Sequence, residues 1–149
     1  MNLENANISD SNELTELTKS SKAYWGYSEK QMQEWKDELT VSEIFIKENQ
    51  VVKLSIEQKI VGFYSYYIID KDNIKLQHLF IHPNSIGKRY GSLLMNDFLK
   101  KISDDNIKII TLDADPNAED FYKKFNFKVV GKIKSTIKDR FLPIMEKEV

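Results

Sequence analysis

The residue types best suited to chemistry are grouped in one short turn that holds two glycines and two cations. Gly87 and Gly91 enclose Lys88, Arg89 and Tyr90, between an apolar run and an amphipathic run. A turn that leads into a helix presents unpaired backbone N–H groups in a partly positive field, and glycine lets a ligand approach the backbone closely. The turn therefore favours a bound phosphate, although an exposed turn with two cations and no ligand fits the same spacing.

A strand and a helix must position this turn. The run 76–81 is short, apolar and bounded, which is typical of a buried strand, and Pro83 ends it because proline has no N–H to donate. After the turn, Leu94, Phe98 and Ile102 recur at helical spacing and form one apolar face. The sequence therefore predicts a strand, a glycine turn and a helix in that order.

The rest of the chain also predicts strands and helices. A short first strand is expected within 1–8. A helix is expected to start at Asp10 or Ser11, and a second helix, capped by Ser28, is expected to end near Leu39. The later elements are expected as a hairpin at 51–69, strands at 107–113, 127–133 and 141–146, and a helix that starts at Asp115 and Pro116. These elements predict a single α/β domain over 1–149, with a mixed, mostly antiparallel sheet of about seven strands, about four helices and one parallel strand pair.

Composition narrows the functional classes. The 149 residues carry a net charge of −1 from 22 basic and 23 acidic side chains, which predicts no general attraction to nucleic acid or to an anionic membrane. The lack of cysteine excludes disulfides, thiolate catalysis and cysteine zinc sites, and the two histidines lie in no metal-binding pattern, so no metal is expected. No apolar run reaches the length of a membrane span and the first residues lack a signal-peptide pattern, so a cytoplasmic protein is expected.

The glycine turn and its flanks resemble a known cofactor-binding motif. The segment 82–94 is similar to the acetyl-CoA-binding motif of the GNAT N-acetyltransferase superfamily, Gln/Arg-x-x-Gly-x-Gly/Ala, which follows an apolar strand. Gly91 stands at the second glycine position of that pattern. Arg89 stands at the first glycine position, and Ile86 stands at the Gln/Arg position. The expected backbone of Arg89 is right-handed and helical, because a left-handed one would cost a non-glycine residue about 1–2 kcal/mol.

A second segment resembles the same family. The family signature Asn-x-x-Ala-x-x-x-Tyr-x-x-x-Gly-Phe aligns with 115–127, where Ala118, Tyr122 and Phe127 keep the register. Asp115 replaces the usual Asn and Asn126 the usual Gly. With both signatures in the family's order, the resemblance covers nearly the whole chain and implies the GNAT fold, in which a splayed parallel strand pair binds CoA.

The resemblance implies acetyl transfer from acetyl-CoA, as cosubstrate, to an amine. The implied cofactor contacts are Phe80 and Ile81 along the pantetheine, then Ile86, Gly87, Lys88, Arg89, Tyr90, Gly91 and Ser92 at the pyrophosphate, and Asn117 with Tyr122 on the CoA arm. Tyr122 matches the family's proton donor to the leaving sulfur, but a merely buried aromatic fits the same position.

Less specific patterns indicate which residues bind the acceptor amine. Trp25, Tyr27, Glu34 and Arg140 are expected to border the amine, although aromatic packing between two helices also explains the segment 24–27. His78 is a candidate general base, Glu34 is another through a water, and a neutral amine needs neither. The expected acceptor is a small molecule or peptide amine, with no nucleic acid or membrane as partner, and a homodimer is compatible with the sequence.

Two other functions stay open. A CoA-binding regulatory module without turnover is favoured by Arg89 and Ile86, which depart from the family pattern. A nucleotide-binding domain of another class is disfavoured, because neither Gly-x-x-x-x-Gly-Lys-Ser/Thr nor Gly-x-Gly-x-x-Gly is present.

Overall fold

The computed structural model of the chain describes residues 1–135, 137 and 140–149. The chain divides into two compact units. The first unit contains Met1–Tyr66 and His78–Lys100, and the second contains Tyr67–Gln77 and Lys101–Val149. The sequence also predicts a turn at 135–140, which lies partly outside the described residues.

The strands of the described chain form one seven-stranded sheet in the order β1-β2-β3-β4-β5-β7-β6. In chain order the elements are β1 (Asn2–Asn5), α1 (Ser11–Ala23), α2 (Glu29–Glu34), α3 (Glu43–Glu48), β2 (Gln50–Ile56), β3 (Lys59–Ile68), β4 (Asn73–Ile81), α4 (Tyr90–Ile102), β5 (Ile109–Asp113), α5 (Glu119–Lys124), β6 (Lys128–Lys134) and β7 (Phe141–Glu148). The predicted mixed, mostly antiparallel α/β sheet is confirmed, with five α-helices over the described residues instead of about four.

The hydrophobic core of the first unit lies between α1, α3 and one face of the sheet. Leu14 and Leu17 of α1 are buried together with Ile46 of α3 and Phe63 of β3. The loop before α3 is fixed to α1 by its backbone, since the Ser11 hydroxyl donates to the Val41 carbonyl at 2.6 Å. This packing buries the apolar face of α1, to which Leu14 and Leu17 belong.

The other face of β3 packs against α4. Tyr64 and Tyr66 place their rings 5.5 and 5.1 Å from the ring of Phe98. The Tyr64 hydroxyl also donates to Oδ2 of Asp97 at 2.7 Å. Burial, followed by the contact with Asp97, raises the pKa of Tyr64, so its hydroxyl stays protonated and donates this bond. The helix that carries the glycine turn at its start is therefore held to the sheet by packing and by one polar contact.

The second unit contains the parallel strand pair. Residues 73–75 of β4 pair in parallel with 109–111 of β5, as the strand, helix and strand order predicted. Both strands continue beyond the paired residues, β4 to Ile81 and β5 to Asp113. On the far side β5 pairs antiparallel with β7, and β7 with β6.

One prediction about the helices after α1 was wrong, and one helix was not predicted. The second helix ends at Glu34 and not near Leu39, although Trp35 and Leu39 are still buried beyond it in hydrogen-bonded turns. Helix α3 was not predicted from the sequence; its cap is Ser42, whose hydroxyl accepts from the Phe45 N–H at 3.0 Å. Six-residue helices are too short to be stable alone, so tertiary packing and not local propensity decides where they lie.

Candidate active site

The glycine turn leads directly into α4 through two left-handed residues. Gly87 has φ +88° and Arg89 has φ +63°, and α4 begins at Tyr90. The first helical bond runs from the Leu93 N–H to the Arg89 carbonyl at 3.1 Å, so the amides at 90–92 precede it. Left-handed residues at alternate positions, 87 and 89, direct successive backbone N–H groups to one side of the turn. This arrangement is a common way to bind an anion.

The conformation of Arg89 corrects the sequence prediction. A right-handed helical backbone was expected, and the observed φ of +63° is left-handed. The family pattern has glycine at this position, and the chain keeps the glycine-like conformation although the side chain costs about 1–2 kcal/mol there. The route of the turn from β4 into α4 therefore overrides the local preference of arginine.

The turn is open enough to receive a phosphate. Lys88 and Arg89 are exposed, and a Cβ placed on Gly87 would meet no atom within 4 Å. Ile86 is also 46% exposed, and its side chain adds no polar group to the turn. Backbone amides, a helix N-terminus and two cations fit the charge and donors that a pyrophosphate requires.

The end of β4 carries the residues expected along the pantetheine. Phe80 is half-buried and packs against the core of the first unit. The His82 N–H donates to the Val61 carbonyl at 2.8 Å, which joins the chain just after Ile81 to β3. Phe80 and Ile81 therefore lie on a backbone that is fixed on the β3 side.

His78 lies in a mostly aromatic environment. Its ring is surrounded by Phe45, Phe63 and Phe80, with centroids at 5.2, 5.5 and 5.9 Å, and its Nδ1 lies 2.7 Å from the Ser65 hydroxyl oxygen. Burial lowers the pKa of His78 to about 4, because the charged ring would lose its hydration. A histidine that is neutral and this weakly basic is poorly suited to take a proton from an ammonium group.

The aromatic segment after α1 is only partly buried. Gly26, with φ +86°, turns the chain there, and Trp25 is 47% exposed. Tyr27 packs edge-on against Trp35 at 4.8 Å and lines a surface groove of about 700 Å³ between α1 and α2. Glu34 is exposed, and neither it nor Trp25 lines that groove. Of these three residues, Tyr27 is the one that lines this groove.

Tyr122 is buried in the second unit. Its ring packs edge-on against Phe121 at 5.3 Å and Phe127 at 5.7 Å, and 8% of the residue is exposed. Burial, and then the negative charge of Asp115, raise the pKa of Tyr122. Its phenol therefore stays protonated at neutral pH and has a proton to donate.

Asp115 connects the other candidate residues of the second unit. Its Oδ1 accepts from the Asn117 N–H and from the Asn117 side-chain amide, both at 2.9 Å. Its Oδ2 accepts from Nη2 of Arg140 at 3.3 Å, in an ion pair that is mostly buried. From the sequence, Asp115 was interpreted only as the start of a helix and as a departure from the usual Asn. The sequence signal that could have indicated an ion pair was a carboxylate in place of the usual Asn, in a chain that has few arginines.

The structure groups the predicted site residues by unit. The turn 86–92, Phe80, Ile81, His78, Trp25, Tyr27 and Glu34 belong to the first unit, and Asn117, Tyr122 and Arg140 belong to the second. A common border for Trp25, Tyr27 and Arg140 stays a prediction.

In the described part of the chain, no three His, Asp or Glu side chains are grouped so as to hold a metal ion. Across the same residues, no helix has the length and apolarity needed to cross a membrane.

Solved structures with the same fold include CoA complexes. The PaiA N-acetyltransferase of Thermoplasma acidophilum in complex with coenzyme A is 21% identical and has a TM-score of 0.82, over 99% of this chain and 98% of that chain. An aminoglycoside 6′-N-acetyltransferase complexed with coenzyme A is 17% identical and has a TM-score of 0.72, over 99% of this chain and 97% of that one. These similarities establish the fold.

Sequence comparison gives the family. An uncharacterized N-acetyltransferase, ycf52, of Gracilaria tenuistipitata var. liui is 26% identical over 92 residues, which is 62% of this chain and 50% of that protein. The chain thus spans about half the length of the curated relatives it matches. Residues 17–148 match the family described as acetyltransferase (GNAT) domain, and this match includes both signatures. The chain therefore belongs to the GNAT acetyltransferase family.

Proposed function

We propose that the protein is an acetyl-CoA-dependent N-acetyltransferase that moves an acetyl group to a primary amine of a small molecule or peptide. The observation that carries this proposal is the turn with left-handed Gly87 and Arg89 at the start of α4, in a chain of the GNAT family. Backbone amides, the helix dipole and two cations at that turn are suited to the pyrophosphate of CoA.

The proposed reaction needs few groups from the protein. Acetyl-CoA supplies an activated thioester, so the neutral amine attacks it directly and no covalent enzyme intermediate is required. The C–N bond forms as the C–S bond breaks, and the nitrogen loses its extra proton to solvent. The chain holds the two reactants in place, which by itself accounts for a large part of rate acceleration in reactions of this type. In this proposal Tyr122 donates its proton to the departing thiolate, and the raised pKa of its phenol makes it a weaker acid than an ordinary tyrosine.

The acceptor binds, in this proposal, beside Trp25, Tyr27, Glu34 and Arg140. Tyr27 has the best support, because it lines the groove between α1 and α2 and its ring is oriented by Trp35. Lys22 lies over both rings, at 5.4 and 5.0 Å from their centroids. Lys19, Lys36 and Glu29 also line the groove, so its charged side chains are of both signs.

The second candidate function is a CoA-binding module without turnover. It is favoured by His78, whose pKa of about 4 makes it a weak base, and by the strained Arg89 in the turn. Both functions require CoA binding, and they differ only in whether thiol is released.

Two measurements test these functions in sequence. Calorimetric titration with CoA establishes binding, and CoA at about 100 times its Kd stabilises the fold by roughly 2.7 kcal/mol. A thiol-release assay with acetyl-CoA and a panel of polyamines, amino acids, aminoglycosides and peptides then measures turnover. No CoA binding at millimolar concentration would contradict both functions. Binding without thiol release for any amine would favour the module without turnover.

A further inference from the structure

Gly62 of β3 lies where the structure has no space for a side chain. A Cβ built on this buried residue would lie 2.7 Å from Cδ1 of Ile81, 3.0 Å from the carbonyl oxygen of Phe80 and 3.1 Å from Cδ1 of Leu94. Such distances are shorter than ordinary van der Waals contact. Any residue with a side chain at this position therefore has to displace at least one of the three neighbours.

Other glycines of the chain differ from Gly62. Gly26 and Gly87 have φ of +86° and +88°, and a Cβ on either would meet nothing within 4 Å. Those two residues are needed for their backbone conformation. Gly131 of β6 would place a Cβ at an ordinary 3.6 Å from Cδ1 of Ile144. Among these four, Gly62 is the glycine that packing requires, and Gly131 is its natural control.

The neighbours of Gly62 are the parts of the first unit on which the proposed CoA site depends. Phe80 and Ile81 form the end of β4, and Leu94 lies on α4, shortly after the glycine turn. The His82 N–H also donates to the carbonyl of Val61, the residue before Gly62, at 2.8 Å. Gly62 therefore sets how closely β3, the end of β4 and the first turns of α4 approach one another.

We propose that Gly62 is a positioning residue for the pantetheine arm of CoA. Because Gly62 has no side chain, the Phe80 carbonyl lies close against β3, and this contact fixes the backbone of the next residue, Ile81, from which the pantetheine amides are bound. This inference rests on the proposed function. It assigns to Gly62 a role that acts through Phe80 and Ile81, without contact to the ligand.

The test compares two ligands on two variants. Gly62→Ala and Gly131→Ala each add one methyl group, and calorimetry measures their affinity for CoA and for 3′-phospho-ADP, which has the nucleotide and pyrophosphate but no pantetheine. We expect Gly62→Ala to lower CoA affinity by roughly tenfold, about 1.4 kcal/mol, and to change 3′-phospho-ADP affinity less than twofold. Gly131→Ala is expected to change neither.

A merely structural role for Gly62 predicts a different result. If Gly62→Ala lowers the affinity for both ligands equally, or for neither, the positioning role is wrong. Wild-type protein that binds no CoA would reject the proposed function and this role together. Wild-type protein that binds CoA, combined with an equal loss of both ligands in the variant, would reject only the role of Gly62.

A double variant separates the contact with the Ile81 side chain from the contacts with the Phe80 carbonyl and Leu94. Ile81→Val removes the Cδ1 atom at 2.7 Å and leaves the Phe80 carbonyl at 3.0 Å from the new methyl group. We expect Gly62→Ala with Ile81→Val to remain weak for CoA. Full recovery would show that only the Ile81 side chain was displaced, which contradicts positioning of the backbone.

The wild-type protein offers a test that needs no folded variant. If Gly62→Ala fails to fold, amide hydrogen exchange of wild type is measured with each ligand. CoA should slow exchange at 79–82, and 3′-phospho-ADP should not. Equal protection by both ligands would overturn the proposal.

Discussion

The hydroxyl oxygen of Ser65, on β3, lies 2.7 Å from Nδ1 of His78, on β4. Both residues are buried beside aromatic rings of the first unit. Ser65 is adjacent in sequence to Tyr64, which points to the opposite face of the sheet and contacts Asp97. The two faces of β3 therefore each carry a polar pair: Tyr64 with Asp97 beneath α4, and Ser65 with His78 in the core with α1 and α3.

Stability should fall on mild acidification because of His78. Its pKa in the folded state is about 4, against an ordinary 6.5. As pH falls below about 6.5 the unfolded state binds a proton that the folded state does not, so stability is lost down to about pH 4 and then levels off. We expect about 2 kcal/mol less stability at pH 5 than at pH 7.5 from this residue, measured by urea unfolding.

His78→Gln is the control for this pH dependence. Glutamine keeps a hydrogen-bonding group near Ser65 and does not titrate. The variant should lose the part of the pH dependence that His78 causes, so the wild type and the variant should converge in stability as pH falls. Parallel stability curves from pH 7.5 to 5 would show that His78 takes up its proton equally well in the folded state.

Tyr122→Phe should reduce turnover by roughly one to three orders of magnitude, because general acid catalysis typically contributes 10²–10⁴-fold and water replaces part of it. The ring stays in place against Phe121 and Phe127, so packing changes little. Acetyl-CoA affinity should stay within a few-fold. The measurement is kcat under conditions in which the chemical step limits the rate.

Tyr64→Phe is the matched control for Tyr122→Phe. It removes another buried hydroxyl, which donates to Asp97 at 2.7 Å, and should lower stability without lowering kcat. If Tyr122→Phe turns over as fast as wild type, Tyr122 is a core aromatic and another group protonates the thiolate.

Arg89→Gly should make the protein more stable and bind CoA less well. Relief of the left-handed conformation is worth about 1–2 kcal/mol, and the greater freedom of glycine in the unfolded chain offsets about 0.5–1 kcal/mol. Loss of one cation weakens binding to the pyrophosphate and makes it less dependent on salt. Urea unfolding measures the change in stability. CoA titration at about 50 and about 200 mM salt measures the affinity and its salt dependence.

Arg89→Ala separates these two effects. Alanine removes the charge but keeps a Cβ in the left-handed conformation, so it should weaken CoA binding like glycine and give no gain in stability. Tighter CoA binding by Arg89→Gly than by wild type would contradict a role for the guanidinium.

Asp115→Asn should destabilise the second unit. Asparagine still accepts from the Asn117 N–H, but it loses the charge that pairs with Arg140 at 3.3 Å. Only 16% of the Arg140 side chain and 13% of the Asp115 side chain are exposed, so a cost of about 1.5–3 kcal/mol is expected. The free energy of unfolding from urea titration measures it.

Asp113→Asn provides the comparison for Asp115→Asn. It breaks the ion pair with Lys75, which is shorter at 2.9 Å but about twice as exposed, and should cost under about 1 kcal/mol. Equal losses in the two variants would show that burial does not strengthen the Asp115–Arg140 pair.

The sequence by itself determined the elements that rest on neighbours in the chain. The Ser28 cap on the Gln31 N–H and the Asp115 cap on the Asn117 N–H span two or three residues, so both were readable from spacing. Asn126 has φ +69°, the left-handed conformation that suited it to follow a helix. The parallel strand pair and the place of the glycine turn followed from the order of the elements and from their apolar periodicity.

Only the tertiary structure decided features that depend on distant residues. Arg89 is left-handed because the path from β4 into α4 requires it, and Gly62 is confined by residues 18 or more positions away (Phe80, Ile81 and Leu94). His78 is weakly basic because folding surrounds it with Phe45 and Phe63, and Asp115 meets Arg140 across 25 positions. Contacts at such separations leave no periodic pattern in the sequence, whereas caps and turns are formed by residues only a few positions apart.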